Sequence, residues 1–122
     1  MTGETYSLPM VALRGLKIMP EEVRHFDVSR EKSLLAIEEA VKNGQKLFVS
    51  AQKDLETEEP GAEDVYLVGC VVTIRQVVKL PKKMSRVLVS GEARASLVRL
   101  DSETPYLQAT VVAVSYTHLR AH

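Results

Sequence analysis

Along this chain, apolar positions come in short bursts with strand-like alternation, and only one stretch repeats at helical spacing. Leu8 to Leu13 is an apolar run that stops at Arg14-Gly15, the pattern of a strand entering a turn. Pro20 breaks the chain, and Val23 to Val28 predicts a second short strand. The helical stretch follows. Ser29 suits an N-cap, Glu31 suits the first turn, and Leu34, Ile37 and Val41, with Ala40 beside them, form one apolar stripe. Lys42 and Gly44 supply the stop signals.

Gln45 to Ala51 predicts a further strand, and Gln52 to Asp64 a polar loop with a Pro60-Gly61 turn. A longer β segment is expected over Val65 to Leu80. Its even positions (Cys70, Val72, Ile74, Val78 and Leu80, apart from Gln76) should face inward, with Thr73, Arg75 and Lys79 outward. Pro81 to Ser85 turns the chain into Arg86 to Ser90. Ala93 to Leu100 and Tyr106 to Val114 complete the set, with Gly91 and Asp101 to Pro105 as separators. Leu34, Ile37, Val41, Val72, Ile74, Leu88 and Leu107 are expected to share one core. The class is mainly β with one α-helix, and seven short strands favour a closed or nearly closed barrel over a sandwich.

With 122 residues there is room for one domain, and a 45% hydrophobic share can fill a core. No Trp and two Phe leave that core to Val, Leu, Ile and Ala. The lone Cys70 has no internal disulfide partner and reads as a buried small hydrophobe, which suits a reducing, cytoplasmic setting. Met1 to Ser7 has neither the basic nor the apolar region of a signal peptide, and no apolar run is long enough to span a bilayer, so no membrane role is expected.

Each catalytic constellation fails on its residues. There is no G-x-x-x-x-G-K-[ST] or G-x-G-x-x-G phosphate loop, and one Cys with three His gives no metal-ligand spacing. Ser85, Ser90 and Ser96 have no local nucleophile motif around them. The acidic loop (Asp54, Glu56, Glu58, Glu59, Glu63, Asp64) lacks the alternating ligands and central Gly of a Ca²⁺ site. No catalytic residue and no cofactor is expected. Arg75, Lys79, Lys82, Lys83 and Arg86 form a basic hairpin, open to a polyanion or an acidic partner. However, net charge is zero and no aromatic residue interleaves the bases, so nucleic acid is an unlikely partner.

Several segments, taken in order, resemble the N-terminal domain of the Lon family of ATP-dependent proteases. They are Leu8-Pro9 through Leu13-Arg14-Gly15, Met19-Pro20, and Phe26-Asp27-Val28-Ser29-Arg30-Glu31-Lys32-Ser33. Ala51-Gln52-Lys53-Asp54, Val68-Gly69, Ile74-Arg75-Gln76 and Lys79-Leu80-Pro81 follow, and Arg86 to Ala95 with Pro105-Tyr106-Leu107 closes the series. The resemblance implies a PUA-like pseudo-barrel of six to seven strands over residues 1–114. It also implies a domain that recognises unfolded protein substrates and helps assembly. Its further partners would be the rest of a Lon chain and the neighbouring subunits of a hexamer, with ATPase and serine-lysine peptidase chemistry elsewhere. A free-standing regulatory binding protein of the same fold is the alternative, and an RNA-binding PUA-like module a third.

Two departures stand out. The family usually has a glycine and an apolar residue where this chain has Glu21-Glu22, and often an Asp-Gly turn where it has Lys82-Lys83-Met84. Ser115 to His122 does not resemble the family and reads as a translated adapter or vector scar, which would make the chain a truncated Lon.

Seven residues are candidates for polypeptide contact. Leu16, Ile18 and Met19 place apolar side chains in an expected loop, and Met84 sits at the tip of the basic hairpin. Met19 and Met84 are expected in solvent, while Leu16 and Ile18 either join them or fold back to close the barrel. Arg30, Glu31 and Lys32 match the family's charged triplet and read as a solvated first turn or a partner contact.

Overall fold

The computed structural model describes residues 5–58 and 60–114. The segment Ser115 to His122 lies outside the described residues. The elements run β1 (Thr5–Leu13), β2 (Val23–Val28), α1 (Glu31–Lys42), β3 (Lys46–Ala51), a single 3-10 turn (Ala62–Asp64), β4 (Val68–Leu80), β5 (Met84–Ser102) and β6 (Leu107–Ala113). The sheet order is β2-β5-β4-β3-β1-β6, and β5 also pairs with β6. That second pairing closes the sheet into a barrel, with β2 added along the first half of β5. Closure removes the edges that β6 and the second half of β5 would otherwise expose. β1 and β3 are parallel, and the crossover between them carries β2 and α1.

Among the described residues there are six strands rather than seven, because β5 runs unbroken through Gly91. Gly91 pairs with Val72, and the next pair is Ala93 with Val71, so Glu92 is an extra residue in a bulge. A second bulge explains the misassigned face of β4. Ile74 pairs with Val89 and Gln76 with Leu88, leaving Arg75 without an opposite number. A one-residue slip moves every later side chain to the other face. Val77 therefore packs on the core and Val78 is 42% exposed. Val65 is outside β4, bridged to Gln52 and fully buried.

The core is two clusters, not one. Along β1, Val11 and Leu13 enter one cluster while Met10 and Ala12 enter the other. β3 does the same with Leu47 and Val49 against Phe48, and β4 with Cys70 and Val72 against Val71. The β1-β3-β4 part of the sheet is thus covered on both faces, which is why its strands read as continuous apolar runs. Leu107 belongs to the second cluster, and Leu88 is half-buried because Val87 and Val89 point inward.

The N-cap is Arg30, one residue after the expected Ser29, and no side chain caps it. The buried face of α1 is Ser33, Ala36, Ile37 and Ala40, rotated from the expected stripe, with Leu34 half-buried and Val41 42% exposed. Small residues on that face let the helix lie close to the sheet. Ile37→Ala should therefore cost about 2–5 kcal/mol. Val41→Ala should cost under about 0.5 kcal/mol, as surface changes do. Comparable shifts in the urea midpoint for the two variants would contradict this orientation.

β2 is tied to β5 by more than its ladder. Arg86 donates from Nε to Asp27 Oδ1 at 2.8 Å and from a terminal guanidinium nitrogen to Oδ2 at 3.1 Å. The hydrogen bond from Arg86 holds the Asp27 carboxyl below its ordinary value. A carboxyl lowered by folding stabilises the native state above its unfolded pKa, near 4, and loses that contribution as pH falls through the lowered value. Asp27→Asn should thus flatten the acid limb of thermal stability below about pH 4. An acid limb identical to the parent's would show that the pair does not matter.

Candidate functional site

The site is built where the chain between β1 and β2 crosses the sheet. Met19-Pro20-Glu21-Glu22 is a tight turn, closed by Glu22 N–H donating to the Met19 carbonyl at 3.2 Å. Pro20 presets one φ, and Glu21 takes φ 71°, the type II arrangement that normally selects Gly at that place. The turn is clamped to β5. Glu21 N–H donates to the Gly91 carbonyl at 2.9 Å and Gly91 N–H to the Glu22 carbonyl at 2.7 Å. The Glu22 carboxylate accepts from Met19 N–H at 3.0 Å.

Glu21 stands where the resemblance implies a glycine, and its left-handed backbone, φ 71°, costs a residue with a Cβ about 1 kcal/mol. Glu21→Gly should accordingly raise stability by about 0.5–1 kcal/mol, measurable as a higher urea midpoint. A lower midpoint would contradict the strain. Lys82 and Lys83 likewise carry positive φ, 67° and 59°, in the hairpin, where the resemblance implies an Asp-Gly turn.

This clamp shapes one wall of a groove of about 710 Å³. Leu16 and Met19 are half-buried in that wall, and Ile18 is buried in the first cluster. Ile18 therefore folds back to close the barrel, and Met19 is not in free solvent. A guanidinium nitrogen of Arg94 lies 3.6 Å from Met19 Sδ.

The opposite wall is Tyr66, Leu67 and Val68, which are 54%, 59% and 43% exposed. Their exposure is not fraying, because the backbone beneath them is fixed. Tyr66 N–H donates to the Ala51 carbonyl at 3.0 Å, Ser50 Oγ donates to the Tyr66 carbonyl, and Leu67 accepts from Leu97 N–H at 2.7 Å. Three adjacent apolar side chains held in water on an ordered backbone are the feature that marks interaction surfaces.

The other candidates lie apart. Glu31 and Lys32, with Leu35, Glu58 and Pro105, border a second depression of about 430 Å³. Arg30 borders it too, and it meets Leu16 at a smaller depression of about 350 Å³. Its guanidinium is engaged internally, donating to Gln52 Oε1 and to the Thr57 carbonyl at 3.2 Å. Gln52 is buried and donates from Nε2 to the Asp54 and Thr57 carbonyls at 2.9 and 3.0 Å. Arg30 thus anchors the acidic loop rather than opening a solvated turn. Met84 is half-buried opposite Leu80, at the hairpin end of β4, whereas Val68 begins that strand. Roughly 40 Å of strand path separates them. Met84 does not reach the groove.

Sequence reasoning missed Tyr66, Leu67 and Val68. The available signal was four apolar residues in a row, Val65 to Val68, which no alternating strand explains. Among the described residues, no three of His, Cys, Asp and Glu converge as a metal site, and no helix is long and apolar enough to cross a membrane. Burial raises the Cys70 thiol above its ordinary value, so its sulfur is a core atom rather than a nucleophile.

Residues 7–120 match the family described as "ATP-dependent protease La (LON) substrate-binding domain". A Lon protease of Lachnoclostridium phytofermentans is 46% identical over 113 residues, covering 93% of this chain and 14% of the relative. Lon protease 1 of Bacillus subtilis is 37% identical over 105 residues, with 86% and 14% coverage. The fold is similar to the solved N-terminal domain of a Mycobacterium avium complex Lon protease. There the TM-score is 0.69 at 19% identity, over 90% of this chain and 55% of that one. A second likeness, to a Lon N-terminal domain protein from Xanthomonas campestris, has a TM-score of 0.62 at 17% identity, over 89% of this chain and 57% of that one. The chain spans 14% of the length of these curated relatives.

Proposed function

Since the chain belongs to the Lon substrate-binding domain family, we propose that it recognises unfolded polypeptide for an ATP-dependent Lon-type protease that degrades unfolded or damaged proteins. The observation that carries this reading is the row Tyr66, Leu67 and Val68, exposed on a fixed backbone and facing Leu16 and Met19 across the groove. The domain binds and does not cut. ATPase and peptidase chemistry belong to the remainder of a Lon chain, and the working assembly is a cytoplasmic hexamer. Glu31 and Lys32, on their separate depression, and Met84, on the hairpin, remain further candidates for polypeptide contact outside this groove.

The test is an NMR titration with β-casein, an unfolded polypeptide. Shifts should concentrate at Leu16, Met19 and Tyr66 to Val68, with affinity in the micromolar-or-weaker range of a small transient interface. Leu67→Ser should weaken binding about tenfold, the loss of one buried leucine's worth of apolar contact. Shifts confined to the hairpin around Met84, or an unchanged affinity for Leu67→Ser, would overturn the assignment of this groove.

A further inference from the structure

The apolar groove has a one-sided charge. Lys17, on one wall, and Lys53, beside the other, are both exposed, Arg94 borders the groove, and no acidic residue lines it. The chain as a whole is neutral, with 16 bases and 16 acids, so this imbalance is local. The nearest acids are engaged with backbone groups. Glu22 is turned onto Met19 N–H and Asp64 onto Gly61 N–H at 2.9 Å, and Asp54 caps Glu56 N–H at 2.9 Å. Among the described residues, no ion pair engages Lys17 or Lys53.

We infer that this groove selects apolar polypeptide segments flanked by acidic side chains, the apolar part seated on Tyr66, Leu67 and Val68 and the carboxylates between Lys17 and Lys53. The inference rests on the polypeptide-binding reading above and adds the class of segment chosen. Apolar contact supplies affinity without regard to charge, whereas two lysines at the rim favour one sign of flank and penalise the other. Both ammonium groups are solvated, so the preference is modest and falls with salt over a Debye length of about 8 Å at physiological ionic strength.

The test uses two fluorescent peptides with the same Leu-Phe-Val-Leu centre, one flanked by Asp and Glu and the other by Lys. Their binding to the 122-residue chain is measured by anisotropy at 50 and 300 mM salt. The acidic peptide should bind about three- to tenfold tighter at low salt, the sum of two screened ion pairs, and the gap should shrink at high salt. The double variant Lys17→Glu/Lys53→Glu should reverse the order at an unchanged thermal midpoint, since both side chains are exposed. Leu67→Ser should weaken both peptides alike.

Equal affinity for the two peptides, or a preference that survives the double variant, overturns the charge selection and leaves the polypeptide reading intact. Failure of both peptides to bind overturns that reading as well. Sedimentation showing a dimer that Leu67→Ser dissolves would identify the occupant as a second copy of this chain and overturn both.

Discussion

Gly91→Ala is expected to lower the thermal midpoint by roughly 10–20 °C and to lift the Leu16-to-Pro20 segment off the sheet. A Cβ at position 91 would lie 2.2 Å from the Met19 carbonyl oxygen, 3.0 Å from the Met19 carbonyl carbon and 3.2 Å from Pro20 Cα. All three are backbone atoms, so no rotamer change relieves the overlap. The loop can move away only by breaking the two hydrogen bonds that clamp Glu21 and Glu22 to Gly91. Overpacking costs about 1–3 kcal/mol and each lost hydrogen bond about 1 kcal/mol more. Ile18, 5% exposed, would be uncovered with it. The groove would lose one wall, so β-casein binding should fall together with stability. A midpoint within 2 °C of the parent's, by calorimetry, would show that the contact is not as close as the geometry states.

Phe48→Ala is the second large effect, about 3–5 kcal/mol or roughly 15 °C in midpoint. Phe48 is fully buried in the second cluster, in the strand between β1 and β4. A Cβ on Gly69 would stand 2.9 Å from its Cζ, so the ring packs directly against the β4 backbone at a residue with no side chain. That suggests a rescue which the structure forbids. Gly69→Ala cannot fill the cavity left by the ring, because the same Cβ would meet the Val49 carbonyl oxygen at 2.2 Å. The double variant should therefore be less stable than Phe48→Ala alone, by urea denaturation. Partial recovery would mean that β3 and β4 can separate, and would count against the close packing of the pair.

Most of the fold was legible because its signals are local. The bounds of β2 follow from Val23, Phe26 and Val28 after a proline, and the helix from one amphipathic period ending at Gly44. What was not legible depends on neighbours. Gly91 reads as a separator, yet it is a place where another piece of backbone lies across a continuous strand, and only the fold reveals that piece. Arg75 carries no mark of a bulge, so alternation was extended past it and put Val78 inside.

The candidate site was half legible for a related reason. Met19 and Ile18 stand out as apolar residues beside a proline, but their burial is set by Gly91, some 70 positions away in the chain. Tyr66 to Val68 look like the start of a strand. Only the hydrogen bonds to Ala51, Ser50 and Leu97 show that they hang in water on a rigid frame.

The split core also orders events in time. Every fully buried residue of the first cluster lies between Val11 and Val89, with Tyr106 packed against it from outside, whereas the second needs Leu107, Ala109 and Val111 to meet Met10 and Ala12. Tyr6 and Val111, neighbours across the β1-β6 ladder, are over a hundred residues apart in the chain. At about 5–20 residues per second of synthesis, β1 waits roughly 5–20 s for β6 to be made. Through that interval the α1 side can already pack, while the Phe48 side stays open along an unpaired edge of β1. A chain that has emerged from the ribosome only as far as residue 106 can therefore hold a half-closed domain with one core packed and the other exposed, itself resembling the unfolded chains that the finished domain is proposed to bind.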